Sequence, residues 1–228
     1  MSLENSDFLD SPEFARRRHA MVETQLRARG ILDERVLSAM REVPRHQFVP
    51  VDALDAAYAD GPLGIGHGQT ISQPFTVAFM AEALLLTGDE KILEVGTGSG
   101  YAAAVLSRLC REVHTIERIE PLAAAARERL ARLGYDNVRV YVGDGTLGLP
   151  EEAPFDGIVV TAGADQLPPQ YAEQLAEGGR IVIPIGATRH GQIMCRFTRE
   201  GTHFPCEKLG GFAFVPLIGR YGWSEEDY

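Results

Sequence analysis

Residues 93–100 read Leu93-Glu94-Val95-Gly96-Thr97-Gly98-Ser99-Gly100, an apolar strand-like run that breaks into three alternate glycines. Glycine lacks a Cβ, so the backbone there can turn sharply and let a ligand approach closely. Around this point short apolar, β-branched runs alternate with amphipathic ones. Strands are expected at 91–95, 112–116, 138–142, 155–161 and 180–185, with helices at 101–109, 121–133 and 168–175. That alternation specifies a doubly wound, Rossmann-like α/β sheet with parallel strands and helices on both faces. Runs at 193–198 and 212–217 suggest antiparallel strands added at its edge.

Ahead of the sheet, Ser11 can cap a helix with Pro12 in its first turn, running to Gly30, and a second helix is expected from Asp33 to Val43, stopped by Pro44. The Arg16-Arg17-Arg18-His19 cluster reads as a solvated helix face. The expected organisation is a frayed extension at 1–10 and a single domain at 11–228. Within it, N-terminal helices and a loop occupy 11–80, a cofactor-binding core 81–190, and C-terminal strands with an acidic tail 191–228.

The ligand is indicated by what accompanies the glycines and what is missing. Glu117 ends the second strand 21 residues after Gly96, the spacing at which a carboxylate reaches ribose hydroxyls. The dinucleotide fingerprint would need a third glycine at 101, where Tyr101 stands, and no Gly-Lys-Ser/Thr follows to hold a triphosphate. A pyrophosphate is therefore disfavoured. A compact cradle of Gly96, Thr97, Gly98, Ser99 and Gly100 with an acid, Glu94, in the strand before it suits S-adenosylmethionine, whose amino group and sulfonium are cationic. Asp144 and Gly145 lie past the third strand, where the Asp144 carboxylate could accept from an adenine amino group or serve as a turn residue.

Composition excludes several other classes. Lys plus Arg number 22 against 32 Asp plus Glu, a net charge of −10, which argues against nucleic acid as the main partner. Three cysteines without C-x-x-C spacing indicate neither a disulfide framework nor a zinc site, so no metal is expected and a reducing cytoplasm fits best. No export signal is visible at the N-terminus. Residues 61–81 carry no charge, but their Gly, Pro, Gln, Thr and Ser exclude a membrane helix and read as a loop. Within it, Gly66-His67-Gly68-Gln69-Thr70-Ile71-Ser72-Gln73-Pro74 offers hydroxyls and amides, a hydrogen-bonding clamp with no nucleophile-elbow context.

The chain resembles the protein-L-isoaspartate O-methyltransferases, which repair damaged aspartyl residues. The resemblance is carried by Arg29-Gly30-Ile31, Val43-Pro44-Arg45-His46, Phe48-Val49-Pro50, the 66–74 loop, the glycine run through Tyr101, Gly143-Asp144-Gly145, Val182-Ile183-Pro184 and Phe214-Val215-Pro216-Leu217, and it covers roughly 21–219. The glycine motif is shared with many methyltransferases, whereas Gln69 to Pro74 is specific to this family. The resemblance implies methyl transfer from S-adenosylmethionine to isoaspartyl proteins and peptides by a monomer. It assigns the Ser72 hydroxyl to the catalytic centre, Gln69, Thr70 and Ile71 to the cofactor, Thr70 also to substrate, and Val182, Ile183 and Pro184 to the peptide groove.

One departure stands out. The family usually has alanines and then a proline after the fourth parallel strand, whereas this chain has Ala162-Gly163-Ala164-Asp165, so Gly163 is expected to loosen the wall and Asp165 to add charge. A methyltransferase acting on aspartate in one dedicated peptide, a general small-molecule methyltransferase, and a non-catalytic peptide-recognition module keeping a relic cofactor site are the competing readings.

Overall fold

The computed structural model describes residues 10–187 and 191–224. Most of the 1–10 extension, and the acidic tail beyond Ser224, lie outside the described residues. Ser11 caps α1 (Pro12–Met21) by accepting from the Phe14 amide, and the chain continues through a π turn and a 3-10 turn to Gly30, left-handed at φ 96°. Asp33 caps α2 (Glu34–Glu42), which ends where Val43 turns extended before Pro44. The arginine cluster is not uniformly solvated. Arg18 is buried against the neighbouring elements, bidentate to Asp10 at 2.8 and 2.7 Å and bonded to the Arg41 carbonyl. A guanidinium can be buried there because a carboxylate and a carbonyl satisfy its donors.

The uncharged 61–81 stretch is not one loop. It forms a hairpin, β1 (Leu63–Gly66) and β2 (Gln69–Ile71), followed by α3 (Pro74–Ala83). Buried side chains include Val77, Ala78, Met80 and Ala81, and the helix is apolar almost all round, so it lacks the polar face that marks a helix in sequence.

The main sheet has seven strands: β3 (Lys91–Val95), β4 (Glu112–Glu117), β5 (Val138–Val142), β6 (Phe155–Val160), β7 (Leu175–Ile185), β8 (Gln192–Thr198) and β9 (Cys206–Phe212). Their order is β5-β4-β3-β6-β7-β8-β9, parallel from β5 through β7 and antiparallel beyond. Helices α4 (Tyr101–Leu106), α5 (Glu120–Arg132) and α6 (Pro169–Gln174) connect the parallel strands. The chain reverses its direction of travel across the sheet between β3 and β6, so a crevice opens beyond their carboxyl ends. Leu93, Val95 and Ile158 pack one face and Ile92, Val159 and Val182 the other, giving the sheet a core on each side.

The last antiparallel strand is displaced from the expected 212–217. β9 ends at Phe212, and residues 213–217 make only an isolated bridge from Pro216 to Gly163. Glu207, Lys208, Gly210 and Gly211 in β9 have weak strand propensity, while the apolar run after it ends at a proline.

Candidate active site

Beyond the carboxyl ends of β3, β4 and β6 lies a cleft with two lobes that share Thr70, Gly96, Gly98 and Thr161. The larger, about 1030 Å³, is lined by Glu117, Arg118, Ile119 and Gly145 on the sheet side and by His67, Gln69 and residues 215–218 opposite. The smaller, about 550 Å³, places Ser72 and Ile71 with Val77, Met80, Tyr101 and Val159, and also takes in Thr97 and Ser99. No Lys, Arg, Asp, Glu or His lines the Ser72 lobe. Burial holds the Tyr101 phenol well above its ordinary range, so it stays neutral.

The loop between the lobes is fixed by close approaches. Gly96, Gly98 and Gly100 take φ of +97°, +52° and +87°, and a Cβ on Gly96 would fall 2.3 Å from Thr161 Oγ1. Thr161 donates to the Gly96 carbonyl at 2.8 Å, clamping the turn from the end of β6. Glu117 pins the other side: Oε2 accepts from the Gly98 amide at 2.9 Å and Oε1 from the Ile119 amide at 3.0 Å. A carboxylate has about four acceptor positions, so lone pairs remain for hydroxyl donors in the lobe.

Glu94 is not brought to the cleft wall. It is fully buried beneath the loop, where Oε2 accepts from Thr115 Oγ1 at 2.5 Å; the Thr115 hydroxyl in turn meets Thr97 Oγ1 at 2.6 Å. Burial pushes its pKa up to about 8, opposed by the Thr115 bond and reinforced by the Glu117 charge. Its Oε1 has no partner among the described residues. Strand alternation explains the position: the Glu94 side chain stands on one face of the sheet beside Thr115, its register partner on β4, and not at the carboxyl end of β3.

Two further assignments meet different surroundings. Both Asp144 oxygens are engaged, Oδ1 by the Thr146 amide and hydroxyl and Oδ2 by the Arg220 amide, so its visible work is to cap a turn and hold the C-terminal segment. Val182, Ile183 and Pro184 lie in an inner strand paired to β6 and β8, with Val182 and Ile183 at 0% exposure. They present neither an open strand edge nor exposed side chains, and neither lobe lining includes them. The expected loosening at Gly163 is corrected. Gly163 donates to the Val215 carbonyl and accepts from the Leu217 amide, both at 2.8 Å, and from Trp223 Nε1 at 3.0 Å. Asp165 is exposed and lies outside the cleft lining.

Sequence reasoning missed Thr161 as a wall residue, along with His67, Arg118, Ile119 and the 215–218 segment. Arg118 and Ile119 follow Glu117 directly and could have been found from it. The 215–218 segment reaches the cleft through long-range bonds to Gly163 that no local pattern announces.

Residues 16–222 match the family model described as protein-L-isoaspartate(D-aspartate) O-methyltransferase. The chain belongs to this family. Among curated relatives, a Pelobacter propionicus protein-L-isoaspartate O-methyltransferase 2 is 54% identical over 208 residues, covering 91% of this chain and 92% of the relative. A Roseiflexus castenholzii protein-L-isoaspartate O-methyltransferase is 53% identical over 216 residues, covering 95% and 98%. A solved protein-L-isoaspartate O-methyltransferase superimposes with a TM-score of 0.82 at 31% identity over 90% of this chain and 67% of that one. A Plasmodium falciparum protein assigned to the same family, solved with S-adenosyl-L-homocysteine, gives 0.77 at 28% identity over 88% and 98%. The isoaspartate methyltransferase fold therefore extends over nearly the whole chain.

Proposed function

We propose that the chain transfers the methyl group of S-adenosylmethionine to the free α-carboxylate of L-isoaspartyl residues in damaged proteins and peptides, within the cleft between Glu117 and Ser72. The observation that carries this reading is the continuity of the two lobes across one glycine loop, with a carboxylate at one end and an uncharged hydroxyl pocket at the other. Membership of the isoaspartate methyltransferase family and the S-adenosyl-L-homocysteine bound to a relative support it.

The residues present fit the cofactor. Gly96 and Gly145, both in the cleft lining, leave no room for a side chain, since a Cβ would fall 2.3 Å from Thr161 Oγ1 and 2.5 Å from Val95 Cγ1, so bare backbone borders the cradle. Glu117 would hold the ribose, the loop from Gly96 to Gly100 the amino acid end, and Gln69, Thr70 and Ile71 would close over both from the hairpin. S-adenosylmethionine supplies a methyl group on a sulfonium that leaves as a neutral thioether.

The remaining work falls to the chain's own groups. An isoaspartyl α-carboxylate, with a reference pKa of about 4, is ionised at neutral pH, so methylation requires no general base. The absence of ionised groups from the Ser72 lobe lining agrees with that requirement. Ser72 would donate to one carboxylate oxygen and orient the other as nucleophile, with Thr70 steadying the peptide. Orientation of this kind contributes on the order of 7–11 kcal/mol in the best cases. The ester then activates the carbonyl for attack by the following backbone nitrogen; methanol leaves, and water opens the succinimide partly to normal aspartate without further help from the chain.

The test is methyl transfer from labelled S-adenosylmethionine to paired peptides differing only in Asp or isoAsp. The two carboxylates have similar basicity, but they differ by one methylene in reach, and a displacement of about 1 Å costs roughly a hundredfold in rate. Strong preference for isoAsp is expected. Equal methylation would favour the dedicated aspartate methyltransferase, and tight cofactor binding with no transfer would favour a recognition module.

A further inference from the structure

Outside the cleft, two of the three cysteines meet across the antiparallel end of the sheet. In the β8–β9 register Cys195 faces Lys208 and Phe197 faces Cys206, so Cys195 and Cys206 are diagonal neighbours on one face. They lie 11 positions apart in sequence, with no spacing motif to mark them. Cys195 is 5% exposed, whereas Cys206 is open to solvent. A register shift between Met194 and Cys195 adds a residue to β9, and such bulges increase the local twist. β9 is also the sheet's outer strand, without a neighbouring strand on its far side among the described residues. Diagonal cross-strand positions start roughly 7–8 Å apart and a disulfide needs Cα atoms within about 4.4–6.8 Å, so a shift of about 1 Å in an outer strand suffices.

We propose that Cys195 and Cys206 form a redox-active dithiol that a peroxide converts to an intramolecular disulfide and a small thiol restores. Cys206, the accessible sulfur, attacks the peroxide as thiolate. The O–O bond breaks, one oxygen leaves as water, and Cys206 becomes a sulfenic acid. The Cys195 sulfur then displaces the hydroxyl, forming the S–S bond, and its proton leaves with the hydroxyl as a second water. Two thiols thus lose two electrons and two protons while hydrogen peroxide becomes two waters.

The surroundings suit the division of labour. Exposed thiols in electropositive settings react and buried ones resist. Lys208 stands opposite Cys195, and its ammonium partly opposes the upward shift of the Cys195 thiol. Burial first, and then the adjoining Cys206 thiol, push Cys195 up to about 11, which keeps it a protonated partner until Cys206 is oxidised. Cys110 is an internal reference: it is buried, its thiol donates to the Leu106 carbonyl at 3.1 Å, and burial raises it to about 12.

The experiment treats the full chain with stepwise hydrogen peroxide, alkylates free thiols under denaturing conditions, and maps the peptides without reduction. Cys195 and Cys206 are expected to lose alkylation together, with a cross-linked peptide two hydrogens lighter than the sum of the free thiol peptides. Dithiothreitol should restore both, and Cys110 should remain alkylated throughout. In Cys195→Ser, Cys206 should instead proceed to sulfinic acid or an intermolecular dimer, with circular dichroism confirming an unchanged fold. The proposal is overturned if wild-type Cys206 over-oxidises or dimerises while Cys195 stays free.

Discussion

On the Glu117 side of the cleft the sheet-side wall centres on a glycine turn and one carboxylate from the β3 to β4 segment, that carboxylate already ties two backbone amides, and the hairpin and residues 215–218 face it. On the Ser72 side the wall is assembled from the hairpin, the glycine turn, α3, α4 and β6 and presents several neutral hydroxyls, Ser72 among them, beside apolar side chains and no charged one. The first arrangement favours affinity, because a charged acceptor in a nearly buried position gains from each hydroxyl it meets. The second favours rate, because a single oriented donor matters most when a nucleophile must be aligned. Substitutions on the two sides should therefore separate binding from turnover.

The largest effect is expected from Ser72→Ala. Loss of one orienting donor should lower kcat by about a hundredfold while leaving the cofactor Kd nearly unchanged. Single-turnover methylation at saturating isoaspartyl peptide, beside calorimetric titration of the cofactor, reads both quantities. Wild-type turnover would remove the hydroxyl from the chemistry and make the lobe a passive pocket.

Next comes Glu117→Ala, which should weaken cofactor binding by about 1.5–3 kcal/mol, the range for hydrogen bonds to a charged group. Because Glu117 also accepts from Gly98 and Ile119, some of that loss reflects a looser loop. Glu117→Gln separates the two contributions, since its one carbonyl oxygen can keep one amide bond. If alanine binds cofactor as tightly as wild type, the carboxylate serves the loop alone.

Gly163→Ala tests the C-terminal wall of the larger lobe, which Gly163 holds through its bonds to Val215 and Leu217. The added Cβ would sit 2.9 Å from the Gln192 side chain, which is itself fixed by accepting from the Phe214 amide. Overpacking at such a site should cost about 1–2 kcal/mol of stability and weaken cofactor binding less than Glu117→Ala. A chemical denaturation midpoint equal to wild type would mean that Gln192 swings clear and the wall is softer than its bonds suggest.

The two sides also differed in how far the sequence revealed them. The glycine turn and Glu117 are consecutive features whose spacing follows from one strand, one helix and the next strand, so Gly96 to Glu117 could be placed without tertiary knowledge. Ser72 was marked by resemblance, but α3 beneath it was hidden because a helix buried all round carries no periodic polar face. Glu94 and Val182 to Pro184 lie away from the cleft lining for a shared reason. Position along a strand is legible from pattern, whereas the direction of a side chain and the presence of a second neighbouring strand depend on long-range pairing. The contacts of Gly163 with residues 215–223 are of the same long-range kind.

The smallest effect on turnover, and the sharpest test of what lies under the loop, is expected from Glu94→Gln. In the folded protein the pKa of Glu94 is raised from 4.5 to about 8, chiefly by burial. An acid shifted upward contributes stability that is full below its unfolded pKa and is lost as pH rises toward the folded value, because the unfolded chain ionises first. For Glu94 the loss accumulates between about pH 4.5 and 8 and then levels off. Glutamine cannot ionise, so the variant should lack this slope, and its stability relative to wild type should increase from pH 5 to pH 8. Carboxylates held below their usual range, such as Glu90 and Glu112, contribute the opposite slope at lower pH, but they are common to both proteins and cancel in the difference. Denaturant midpoints measured at several pH values provide the comparison. The cofactor titration completes it: Glu94 lies outside both lobe linings, so Glu94→Gln should change affinity less than Glu117→Ala. A loss as large as that of Glu117→Ala would mean that the buried carboxylate answers the cofactor's positive charge through Thr115 and Thr97, and the division between a binding side and a turnover side would then have to include the floor beneath them.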